Sequence, residues 1–284
     1  MVKRRIIQIA ATLLMNFNFS GFPKGKIYQG VLKKICVPGL NCYSCPGALG
    51  ACPIGSLQAL SGNLQTLVSF YIYGFLFVFG LFLGRVVCGF LCPFGFIQEL
   101  LNKIPLKNWC SKKCFRYLAK LKYVILFVMV IGIPTIMTLI GKISFPAFCE
   151  YLCPAGTLEA GIPISLANGG IRESLGWLFV WKVSVMAIII LLSIKIFRPF
   201  CRFLCPLGAV YALFNRISIL HIKTDKAKCD NCNACRNICD MEARNPDDIE
   251  CIRCGKCIKH CPQKALYWSV CRTLASIKNG AYER

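Results

Sequence analysis

The residues able to do chemistry come in a repeat. Cys52-Pro-Ile-Gly55, Cys92-Pro-Phe-Gly95, Cys153-Pro-Ala-Gly156 and Cys205-Pro-Leu-Gly208 share one pattern, and Cys88, Cys149 and Cys201 stand four positions ahead of the last three. Proline is favoured at the first helical position, where its missing N–H costs nothing. That puts each cysteine at a helix N-cap, facing unpaired N–H groups and the positive end of the helix dipole. The glycine lets backbone come close. A thiolate at such a place suits an anionic metal–sulfur group. One copy would read equally well as a small apolar filler before a Pro-Gly loop; four copies with three C-x3-C pairs read as ligands.

The C-terminal part names the metal. Cys229, Cys232, Cys235 and Cys239 form a C-x2-C-x2-C-x3-C run, and Cys251, Cys254, Cys257 and Cys261 form another, followed by Pro262. Three closely spaced thiolates wrap three corners of an iron–sulfur cube, and the displaced fourth reaches the neighbouring cube. The expected sets are therefore Cys229, Cys232, Cys235 and Cys261 for one [4Fe–4S] cluster, and Cys251, Cys254, Cys257 and Cys239 for the other. Zinc sites instead pair two cysteine dyads. Asp240 stands where a proline is usual, and the eleven residues between Cys239 and Cys251 compress the module. Neither feature removes a ligand.

The elements that must hold these groups are hydrophobic. The 284-residue chain is 56% hydrophobic, and its charge-free stretches are 6–23, 56–84, 123–141 and 175–194, the last broken by Lys182. A bilayer span needs about 20 apolar residues, so four transmembrane helices are expected, the first shortened by Asn16, Asn18 and Ser20. The fold class is an all-α membrane bundle of about four spans with re-entrant short helices, plus a small α+β bacterial-ferredoxin-like domain. The boundaries are 1–218 for the bundle, 219–271 for the ferredoxin-like domain and 272–284 for a tail. Basic loops, among them the one holding Lys103, Lys107, Lys112, Lys113, Arg116, Lys120 and Lys122, put both termini on the cytoplasmic side of the cell membrane; Lys24, Lys26, Lys33 and Lys34 on the other side run against this rule. The net charge of +22 follows from these loops and carries no nucleic-acid reading, because no basic stripe interleaved with aromatics occurs. A reducing cytoplasmic side also argues against disulfides as the general use of the cysteines.

This topology sorts the pairs. Cys88, Cys92, Cys201 and Cys205 fall together on the inner side and complete one cluster. Arg85 and Arg198, each three residues ahead of a pair, either favour the reduced cluster or snorkel to the inner interface. Cys149 and Cys153 fall outside with Cys36, Cys42, Cys45 and Cys52. They take Cys52 and one of Cys42 or Cys45, or else Cys36, Cys42, Cys45 and Cys52 close a cluster of their own. Six cysteines do not divide by four, and the sequence leaves both readings open. Cys110 and Cys114 form a further C-x3-C without proline: a cluster ligand pair, a redox dithiol, or neither. Cys271 is isolated. Lys182, the one deep charge, reads as a snorkelling side chain or as the mark of a ligand site.

The two histidines, His221 and His260, lie beyond the spans, so the bundle lacks bis-histidine haem ligands, and no C-x-x-C-H occurs. No Gly-x-Gly-x-x-Gly or Walker A phrase supplies a nucleotide site.

With C-x3-C-Pro following two spans and a ferredoxin run behind them, the chain from about Arg85 to Leu266 resembles the membrane polyferredoxins of the NapH type and of the C-terminal half of NosR-type proteins. The resemblance implies an integral membrane [4Fe–4S] protein that moves electrons between a cytoplasmic donor or the quinone pool and an outer acceptor. Two clusters in the ferredoxin domain and one or two more in the bundle are expected. So are redox partner proteins on one or both faces, contact with the lipid bilayer, and a role as an electron-transfer component and not a stand-alone catalyst. The third C-x3-C-Pro at Cys149 and the Cys36–Cys45 run depart from that pattern. Rival readings are a quinol dehydrogenase subunit with a quinone pocket, a thiol reductase or assembly factor, and a redox sensor.

Overall fold

The computed structural model describes residues 2–62, 70–104 and 112–270, without the side chains of residues 2 and 112–114. The chain is mostly helical, with a single two-stranded sheet among the described residues.

Two described helices, Phe115–Leu139 and Trp177–Lys195, are long and apolar enough to cross a membrane. The other two expected spans differ from this. Helix Val2–Met15 has 14 residues, about 21 Å at 1.5 Å per residue. It stops where Asn16 turns its side chain back to the Thr12 carbonyl (3.1 Å), which competes with helix continuation. In the second expected span, helix Pro53–Ser61 is followed by helix Phe70–Phe82, and residues 63–69 between them lie outside the described residues.

Prolines shape the long helix. Pro134 lacks the N–H that would bond one turn back, and its ring would clash there. The turn ahead of it, Leu126–Gly132, relaxes to a π-helix, and Thr157–Gly161 does the same ahead of Pro163. Such wide turns absorb the extra volume without ending the helix.

Short helices fill the interior: Pro53–Ser61, Val86–Phe90, Pro93–Leu101, Ala147–Tyr151, Pro199–Phe203 and Pro206–Phe214. A core of Leu57, Val87, Phe94, Phe148, Phe200 and Tyr211 packs around their cysteines. The loop before Pro53 enters this core, with Leu40 and Asn41 fully buried.

The ferredoxin-like module is framed by strands His221–Thr224 and Leu266–Ser269, antiparallel with His221 opposite Ser269 and Thr224 opposite Leu266. Short helices Ala234–Asn237 and Lys256–His260 hold the third cysteine of each run or begin next to it. The module sits against the bundle. Asn215 Nδ2 donates to the carbonyls of Asp248 (2.9 Å) and Cys251 (3.0 Å). At Gly89 a Cβ would come within 2.5 Å of the Ile252 carbonyl oxygen, so only glycine permits this approach.

Candidate iron–sulfur centres

Each repeated cysteine is the N-cap of a helix that begins with proline. Cys52, Cys92, Cys153 and Cys205 all have extended backbone. The Gly95 amide donates to Cys92 Sγ at 3.4 Å and the Gly208 amide to Cys205 Sγ at 3.3 Å. The amides of Gly55 and Gly156 lie near the Cys52 and Cys153 sulfurs without closing a cap hydrogen bond. The motif thus aims orphan N–H groups at a sulfur. Its glycine also keeps the space there open: a Cβ at Gly156 would lie 3.7 Å from Cys42 Sγ and 4.0 Å from Cys153 Sγ.

Folding gathers the cysteines into groups. Cys88, Cys92, Cys201 and Cys205 lie within electrostatic range of one another, all buried, nearest the ferredoxin module. This is the proximal site. Cys42, Cys52, Cys149 and Cys153 form a second group, the distal site. They line a cavity of about 740 Å³. The remaining two cysteines of that segment point elsewhere. Cys36 forms a backbone bridge with Ala51, and its sulfur faces Ser56 Oγ at 3.7 Å. The Cys45 sulfur faces Asn16 Oδ1 at 3.9 Å. The self-contained group of Cys36, Cys42, Cys45 and Cys52 is therefore not what the fold brings together. Cys110 and Cys271 lie outside the described residues, as does the side chain of Cys114.

In the module, Cys251 neighbours Cys239, Cys254 and Cys257, and Cys232 neighbours Cys261. Cys257 also lies within range of Cys235 of the other set. Burial first, then the adjoining sulfurs, push the Cys251 thiol up to about 12 and the Cys257 thiol up to about 11. Crowded thiols of this kind ionise together only around a positive core, and the donor set fits a [4Fe–4S] cube. Among the described residues no three His, Cys, Asp or Glu side chains could hold a single metal ion.

Sequence reasoning missed the residue six places after each repeated cysteine. Gln58 Nε2 donates to Cys149 Sγ and Gln98 Nε2 to Cys201 Sγ, both at 3.1 Å. Glu159 Oε2 accepts the Cys42 amide at 2.7 Å, and the Tyr211 hydroxyl donates to the Pro38 carbonyl at 2.9 Å. Each capped helix thereby holds the segment that carries the opposing cysteines. The repeated Gln58 and Gln98 were the available signal.

The buried cations also find their roles. Arg85 and Arg198 are 0% exposed, so neither snorkels. Arg85 donates to Glu250 at 2.7 Å, and Lys122 reaches the same carboxylate at 2.6 Å. Burial works against the Glu250 charge, but Arg85 and Lys122 hold its carboxyl below the ordinary value. Arg198 bonds Glu99 at 2.8 Å and also donates to the Cys88 carbonyl. Glu99 further pairs with Arg4 and with Arg5 (3.2 Å), fastening the N-terminal helix beside the proximal site. Lys182 lines the distal cavity within electrostatic range of Cys149.

The two sites adjoin. The Leu40 amide faces the Cys92 sulfur and the next amide, of Asn41, faces the Cys52 sulfur. Tyr211, fully buried, lies within range of Cys88, Cys92 and Cys205 of the proximal group and of Cys52 of the distal group. Phe94, Phe200 and Phe148 pack in the same core, with the Phe94 and Phe200 ring centroids 5.2 Å apart and those of Phe148 and Phe200 6.5 Å apart.

A 4Fe-4S binding domain family matches residues 65–113, 123–162 and 175–225, and a second 4Fe-4S binding domain matches 246–267. The segment carrying Cys42 and Cys52 lies outside both matches. An uncharacterised protein of Methanocaldococcus jannaschii is 32% identical over 204 residues, covering 68% of this chain and 75% of that protein. The ferredoxin-type protein NapH of Haemophilus influenzae is 26% identical over 205 residues, covering 66% of this chain and 62% of NapH. The regulatory protein NosR of Pseudomonas aeruginosa is 30% identical over 183 residues, 62% of this chain but 23% of NosR. No solved structure gives a significant match.

Proposed function

We propose, from the premise that this chain belongs to the 4Fe-4S binding polyferredoxins of the NapH and NosR type, that it is a multi-pass protein of the cytoplasmic membrane that carries electrons between its ferredoxin module and the opposite membrane face. Four cysteine sets would hold the groups: Cys229, Cys232, Cys235 and Cys261; Cys251, Cys254, Cys257 and Cys239; Cys88, Cys92, Cys201 and Cys205; Cys42, Cys52, Cys149 and Cys153. A [4Fe–4S] cube bound at each would supply one-electron chemistry. The chain contributes the rest. Gly89 and the Arg85–Glu250–Lys122 cluster press the module onto the bundle, and Tyr211, Phe94, Phe148 and Phe200 exclude water between the two buried sites.

The observation that carries this reading is the pair of consecutive amides at Leu40 and Asn41, which face sulfurs of different sites. A ~30 Å hydrocarbon core is long for one electron step, and this loop brings a further site next to the proximal one. Buried non-helical backbone of that kind is tolerated in a membrane only when enclosed by protein. The reading includes four spans, both termini on the cytoplasmic side, and redox proteins as partners at each face. Iron and sulfide per anaerobically purified chain test it, together with redox-titrated EPR. About sixteen irons support it at four per cube; about eight, with ferredoxin signals alone, sink it.

A further inference from the structure

Gln58 and Gln98 make the same contacts at different sites. Each is about 1% exposed. Gln58 Oε1 accepts the Phe148 amide at 2.9 Å, while its Nε2 donates to the Ile54 carbonyl at 3.4 Å and to Cys149 Sγ at 3.1 Å. Gln98 Oε1 accepts the Phe200 amide at 3.1 Å, while its Nε2 donates to the Phe94 carbonyl at 3.4 Å and to Cys201 Sγ at 3.1 Å. The backbone N–H fixes which way each side-chain amide faces, because only the carbonyl oxygen can accept it. The NH2 group is thereby committed to the sulfur. Phe148 and Phe200 directly precede Cys149 and Cys201, so one side chain both sets the position of its cysteine and donates to it.

We infer that Gln58 and Gln98 are positioning residues that set the reduction potentials of the distal and proximal centres, one glutamine for each. The inference rests on the cluster reading above. Hydrogen bonds to the sulfurs are among the determinants of iron–sulfur potentials. A donor aimed at a thiolate favours the more negative, reduced state, and a dry surrounding strengthens the effect. Each bond touches one centre, so each substitution moves one signal.

The experiment is redox-titrated EPR on the full-length, iron-loaded protein carrying Gln58→Met or Gln98→Met, which keep an unbranched side chain and remove the donor. With iron content equal to wild type, Q58M lowers the reduced-to-oxidised ratio of the distal centre about tenfold at fixed potential, a negative shift of ~59 mV for a one-electron couple. The proximal signal stays in place, and Q98M does the reverse. Wild-type potentials in both variants would overturn the inference and leave the cluster reading intact, with the glutamines acting only as clamps. A wild-type protein without bundle signals overturns the reading itself and the inference with it. Should the methionine variants lose iron, Gln58→Glu and Gln98→Glu keep the acceptor for the Phe148 and Phe200 amides. At alkaline pH the added carboxylate then lowers the potential of its own centre, and an unchanged potential refutes the role.

Discussion

Leu40 and Asn41, neighbours in the chain, present their backbone amides to sulfurs of two different cysteine groups, Cys92 and Cys52. Consecutive Cα atoms are about 3.8 Å apart, so the proximal and distal cysteine sets are separated by little more than the loop itself. Two paramagnets so close interact magnetically. With both bundle centres reduced, their EPR signals are expected to be broadened or split. Cys205→Ser, which damages the proximal set alone, should return the distal signal to a simple form. Non-interacting signals in the fully reduced protein would contradict this arrangement.

The ligand choice at the distal site is directly testable. The Cys42 amide is anchored by Glu159 and its sulfur faces Cys52, Cys149 and Cys153, whereas Cys36 and Cys45 face Ser56 and Asn16. Cys42→Ser is expected to cost about four irons per chain, one cube. Cys36→Ser and Cys45→Ser should leave the iron content unchanged. Iron analysis of the three purified variants decides the assignment, and equal loss in all three would refute it.

Glu250 compensates two fully buried cations, Arg85 and Lys122. Removing one member of a buried charge cluster leaves the others unpaired, at about 3–5 kcal/mol. Glu250→Gln should therefore loosen the ferredoxin module from the bundle. Limited proteolysis would show faster cleavage between residues 215 and 225, and the melting temperature would fall. Glu242→Gln, whose carboxylate meets Arg202 at 2.8 Å nearer the surface, should cost less.

Gly89 tests the same contact through shape alone. A methyl group there would meet the Ile252 carbonyl oxygen at 2.5 Å, and backbone cannot step aside as a flexible side chain would. Gly89→Ala should destabilise the docked state by about 1–3 kcal/mol, the range for overpacking. Electron transfer from the module to the bundle, followed by rapid-mixing spectroscopy, should slow, while the module's own EPR signals persist. Gly74→Ala, where a Cβ would meet nothing within 4 Å, serves as the control.

Local spacing made much of the candidate chemistry legible in the sequence. The Cys-Pro-x-Gly phrase sets its own geometry, because proline at the first helical turn and cysteine at the N-cap are decided by backbone sterics and unpaired amides within four residues. The C-x2-C-x2-C-x3-C runs likewise point to crossed sets in the ferredoxin module, where the fold puts Cys251 near Cys239. Hydrophobic length was a coarser guide: among the described residues two helices are long and apolar enough to cross a membrane, while helix Val2–Met15 ends early at Asn16. Only the tertiary structure decided what depends on residues far apart in the chain. It placed Cys42 beside Cys52, Cys149 and Cys153, with the Cys42 amide held by a carboxylate 117 positions away. It turned Arg85 and Arg198 inward onto Glu250 and Glu99, where sequence position alone left snorkelling open. It also brought Gln58 and Gln98 onto cysteines of other helices and threaded one buried loop between two cysteine groups. Spacing along a helix fixes which groups a segment can offer. Which groups meet is fixed by packing, since a buried sulfur, carboxylate or guanidinium must find its partner wherever the fold supplies one.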